Sequence, residues 1–164
     1  MLTSHELFGF MPAALSAEIL EHTHANEDAL YRATLGAVAQ AKKVRPIYLQ
    51  RQPRPARHVS MVATLSRPGL ETAAQALLQG WLLKRHGALL GDFLDALGIP
   101  HQQGTVDDLP PVMDDARLHA AVDTLLAKHP REVVVVYLNA FNSMNQSGWK
   151  NLDALLKEDV RLQF

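Results

Sequence analysis

Proline breaks a helix interior and cannot donate to a β-ladder, so its positions decide which segments of a chain can run unbroken. This chain has nine: Pro12, Pro46, Pro53, Pro55, Pro68, Pro100, Pro110, Pro111 and Pro130. Between them apolar residues recur every three or four positions, the spacing that keeps one face of a helix apolar. The spacing predicts a helix over 12–24, with Pro12 in its first turn. A second is predicted over 27–43, with Asn26 as its cap. Glu27 and Asp28 suit its positive end, and Lys42 and Lys43 its negative end. Residues 44–55 are broken by three prolines and read as irregular. A short helix over 56–65 follows. Ser66 then caps one that opens with Pro68 and Glu71. The stretch 99–112 reads as the longest loop. Asp114 and Asp115 open a helix that ends near Lys128 and His129, and Ser147 caps a last one carrying Trp149, Leu152, Leu155 and Leu156.

The segment "PREVVVVYLNAFNSMN", 130–145, pulls two ways. Four consecutive valines favour a strand by propensity. Pro130 followed by Glu132 is a helix opening, however, and the apolar run through Met144 is long for a strand. The only other β-like stretch, "PIYLQ", is short and opens with proline. A buried helix is the expectation.

With 164 residues, 48% of them hydrophobic, the chain can build a real core, and one domain over 1–164 is the default. The fold class expected is all-α: a single-domain orthogonal helical bundle of about eight short-to-medium helices. There is no cysteine, which excludes disulfides and thiolate metal sites. The first twenty residues lack a signal-peptide pattern, and no window is long and apolar enough to span a bilayer. The expectation is a cytoplasmic protein without a membrane partner.

"GWLLKRHGALLGDFLDALG" raises a separate question, because a glycine inside a helix costs about 1 kcal/mol relative to alanine. On a continuous helix over 69–97, Gly80, Gly87 and Gly91 align on one side and would form a helix-packing groove. The alternative is a helix break at "RHG", residues 85–87. Gly98 sits where a left-handed cap belongs, with Ile99 folding back on Leu94 and Pro100 stopping the helix.

Charge is lopsided. From Ala29 to Leu70 there is no Asp or Glu but eight Lys or Arg, while residues 1–28 hold five acids and no Lys or Arg. Arg45, Arg51, Arg54 and Arg57 form a candidate anion-binding set beside Tyr48, which offers a stacking face to nucleic acid. Internal pairing with the acidic N-terminal segment is the competing reading. Glu21 and His24, at i and i+3, are a candidate metal pair, although the four-helix metal pattern needs a second copy that is absent from the sequence. Asp115 with His119, or Asp92 or Asp95 with a distant histidine, would make carboxylate–histidine pairs. No phosphate loop, nucleophile elbow or HExxH motif occurs, so no catalytic residue and no cofactor is expected. The function expected is a protein-interaction or accessory module, with a protein partner or a homodimer. Binding of nucleic acid or another polyanion through 42–58 is the alternative, and an enzyme or metal-binding helical protein the second alternative.

Overall fold

The computed structural model describes residues 1–145 and 148–164. Among them there are ten α-helices and no strand: α1 (Ser4–Phe10), α2 (Ala13–Asn26), α3 (Asp28–Lys42), α4 (Pro46–Gln50), α5 (Arg54–Leu65), α6 (Glu71–Arg85), α7 (Gly87–Leu97), α8 (Asp115–Lys128), α9 (Arg131–Met144) and α10 (Lys150–Glu158). Two 3₁₀ turns, Pro68–Leu70 and Val160–Leu162, complete the set. The all-α class therefore holds, with two more helices than expected. The chain divides into two compact units, residues 2–81 and residues 82–164 together with Met1, with the boundary inside α6.

In the first unit α1 packs on α5, α2 on α3 and α5, and α3 on α4 and α5. Helix α1 is absent from the sequence-based expectation, although Thr3-x-x-Glu6 is a capping-box pattern. The Thr3 backbone N–H donates to Glu6 Oε2 at 2.8 Å. The first N–H groups of α1 are also satisfied from afar. Glu71 accepts from Ser4 N at 3.0 Å and His5 N at 2.8 Å, and its Oε2 lies 2.7 Å from His5 Nδ1. Burial opposes the charge on Glu71, but these bonds to His5 and Ser4 hold its carboxyl below the usual range. Helix α4 is likewise a correction, since 44–55 was expected to be irregular. Pro46 at its first position supplies a ready helical φ, and Leu49, 2% exposed, ties it to the core. Glu27, not Asn26, precedes α3, because Asn26 still belongs to α2.

The continuous helix over 69–97 does not form. His86, at φ −122° and ψ 29°, separates α6 from α7. The three glycines therefore do separate things. At Gly80 a β-carbon would lie 2.8 Å from Glu27 Oε2 and 3.1 Å from Leu30 Cδ2, so the start of α3 approaches this backbone closely. At Gly91 it would meet the His101 ring at 3.4 Å, and at Gly87 it would meet nothing within 4 Å. Gly98 does take the left-handed cap, at φ 69°, with Ile99 N donating to Leu94 O at 2.9 Å.

In the second unit α7 packs on α8, and α9 meets α8, α10 and the last 3₁₀ turn. Asp114 caps α8 by accepting from Arg117 N at 2.9 Å. The four valines lie in α9, which is buried from Val133 through Ala140. Propensity favours a strand here, but contact on all sides of a helix outweighs a few tenths of a kcal/mol per residue. Phe93 meets Tyr137 and Phe141 edge-on, with centroids 5.4 and 5.3 Å apart. Trp149 is 1% exposed, and its indole N–H donates to Pro110 O at 2.7 Å. Trp149 itself precedes α10; Ser147, the expected cap, lies outside the described residues.

Candidate functional site

A groove of about 430 Å³ opens on the first unit. One wall comes from α2, where Ala13, Ser16, Ala17 and Glu21 succeed one another at helical spacing. The facing wall is α5, with Pro55, His58, Val59 and Val62. Phe8, Gly9 and Met11 close the end at α1. Alanine and glycine on the α1–α2 side leave room, so the groove is concave and mainly apolar. Val59 on its rim is 72% exposed, and Phe10, between Gly9 and Met11, is 64% exposed.

The groove ends at a polar cluster. Arg57 Nη1 donates to the Tyr31 hydroxyl at 3.2 Å. Tyr31 Oη lies 2.9 Å from His58 Nε2, and His58 Nδ1 lies 3.3 Å from Glu21 Oε1. A guanidinium has no lone pair to offer, so the Tyr31 hydroxyl accepts from Arg57 and donates its one hydrogen to His58. The ring proton of His58 then sits on Nδ1 and points to Glu21. The same Glu21 oxygen takes Arg54 Nε at 3.1 Å. Burial holds His58 below its usual histidine range; Glu21 opposes this, and Arg57, His24 and Arg54 reinforce it. Arg57 is fixed further by the carbonyls of Gln50 and Gln52, each at 3.2 Å from Nη2. His24 places its ring edge-on to Tyr31 at 4.8 Å. The network fastens α5 to α2 and α3 at the end of the groove.

The expected anion-binding set divides. Arg54 pairs with Glu21 of the N-terminal segment, whereas Arg57 is held by the Tyr31 hydroxyl and two backbone carbonyls rather than by an acid. Arg45 and Arg51 are exposed, and so are Lys42 and Lys43. The expected metal pair does not converge on open space: Arg54 stands between its members, with Nη1 3.5 Å from His24 Nδ1. A guanidinium fills the place a cation would need. Among the described residues no group of three His, Cys, Asp or Glu side chains is placed to hold a metal ion.

Asp115 is engaged by Asn151 Nδ2 at 2.8 Å. Asp92 and Asp95 do meet distant histidines, His129 at 2.8 Å and His101 at 2.9 Å. The His129 bond, with help from Lys128, holds the Asp92 carboxyl low. These pairs stand in the second unit. Tyr31, His58 and the groove residues Phe8, Met11 and Val59 were not singled out from sequence. The available signal was the i, i+3, i+4, i+7 face Pro55–His58–Val59–Val62, which a helix start at 56 cut short.

Fold and site together define an all-α protein with an open apolar groove and a closed polar anchor beside it. Compared with known proteins, the chain matches no family model, no curated sequence and no solved structure.

Proposed function

We propose that the protein is an interaction module whose groove between α2 and α5 receives a partner segment with apolar anchor residues and acidic flanks. The observation that supports this most is the groove: about 430 Å³, concave, mainly apolar, with a rim residue as exposed as Val59. Grooves of this kind take apolar side chains projected at i, i+3, i+4 and i+7 by an amphipathic helix. The acidic flanks rest on the sequence around α5, since the groove lining itself holds no lysine or arginine. No acid occurs between Ala29 and Leu70, the stretch that supplies all of α5, and Glu21 in the groove is neutralised by Arg54. Opposite charge at the rim speeds encounter and rejects wrong partners.

The test uses a fluorescent amphipathic peptide with leucines on one face and glutamates on the other, followed by anisotropy. Binding is expected at low salt, and Val59→Glu is expected to weaken it by about tenfold or more, since a charge is then set against the apolar anchors. Binding that ignores Val59→Glu, or no binding at low salt, overturns the reading. Light scattering on the protein alone separates a foreign partner from a second copy: a dimer that Val59→Glu dissociates assigns the groove to self-association.

A further inference from the structure

A second surface of the first unit lies outside the groove. Helix α3 ends at Lys43, which adopts a left-handed φ of 57°, and Val44 N returns to Ala39 O at 3.0 Å. This cap turns the chain sharply into α4, whose Pro46 fixes the new direction. Leu49 is the buried residue of α4. Ile47 and Tyr48 face solvent at 45% and 58% exposure, and Val44 before them at 38%. Lys42, Lys43, Arg45 and Arg51 bracket these three in sequence, and all four are exposed. Among the described residues none of the four makes an ion pair.

We propose that this corner contacts an anionic lipid surface, independently of the groove. Three large exposed apolar side chains, bracketed in sequence by four exposed cations, fit the boundary between headgroups and acyl chains. Val44, Ile47 and Tyr48 enter it, while lysine and arginine lay their apolar stems along it and keep their charges among the phosphates. A nucleic acid would use the cations and the Tyr48 ring but offers Val44 and Ile47 no apolar medium. Among the described residues no helix is long and apolar enough to cross a membrane, and such surface contact needs none.

The test is sedimentation with phosphatidylcholine vesicles, with and without phosphatidylserine. The full chain is expected to pellet with the phosphatidylserine vesicles only, and less so as salt is added. Ile47→Ser with Tyr48→Ser is expected to lower that affinity about tenfold, and Arg45→Glu with Arg51→Glu to abolish it. Both double variants should keep the circular dichroism of the parent, because the changed side chains are exposed. Val59→Glu should bind vesicles as the parent does, so that loss of peptide binding and loss of lipid binding are read separately. No pelleting at low salt overturns the proposal, as does pelleting that the serine pair leaves unchanged. Binding of a single-stranded oligonucleotide by the parent, without vesicle binding, assigns the corner to polyanions instead.

Discussion

Helices α9 and α4 are built from similar material and meet opposite fates. Each opens at a proline and then runs through aliphatic residues and a tyrosine. In α9 the run is swallowed: Val134, Val135, Val136 and Leu138 are all fully buried. In α4 only Leu49 is covered, and Ile47 and Tyr48 stay in water. The difference lies in the neighbours. Helix α9 is flanked by α8, α10 and the final 3₁₀ turn, whereas α4 is a single turn resting on α3 and α5. An apolar residue is therefore not by itself a core residue; what surrounds its helix decides.

The sharpest way to break this comparison is to place the same charge in both helices. Val136→Asp buries a carboxylate without a partner and should cost about 3–5 kcal/mol, enough to unfold a marginal protein. Urea denaturation reads this, and an unchanged midpoint would show that α9 is not packed as described. Next comes Tyr31→Phe, which leaves His58 Nε2 without its donor and Arg57 Nη1 without its acceptor. A loss of about 1–3 kcal/mol is expected by the same measurement.

The pH dependence is smaller and has a definite sign. His58 titrates lower in the folded protein than unfolded, so its contribution is complete above about pH 6.5 and is lost as pH falls below that. Glu71 and Asp92 are held low as well, so theirs is present above about pH 4 and lost in more acid solution. Melting temperatures should fall in two stages on acidification. Asp92→Asn, at a half-exposed pair, should cost about 1 kcal/mol or less at neutral pH and soften the second stage alone. The smallest effect belongs to Ile47→Asp, within about 0.5 kcal/mol of the parent, because the side chain is already in water. A loss approaching that of Val136→Asp would mean that α4 is covered.

The sequence carried local information well. Pro130 and Glu132 announced α9 against its valines, Gly98 announced the end of α7, and Asp114 the start of α8. Short elements fared worse. Helix α1 hid behind a capping box without a long apolar run, and α4 is one turn between prolines. The break at His86 was present as an alternative, but a glycine after histidine is compatible with a helix that bends or continues. The site was the least legible part. Its walls, α2 and α5, are separated in sequence by α3 and α4, and no periodicity reports that they face each other. Arg54 and Arg57 looked like free cations because Glu21 and Tyr31 are distant in the chain and adjacent only once it folds. Asp92 and Asp95 did suggest histidine partners, but the sequence left those partners unnamed.

The arrangement around α9 also has a temporal consequence. A ribosome releases Val133–Val136 before α10 and the last 3₁₀ turn, the elements that complete the packing around α9. For that interval the nascent chain carries a β-prone valine tract with one side unprotected, the kind of segment that seeds aggregation. Truncation after Met144 would make that interval permanent, and such a fragment should depend on chaperones for its solubility.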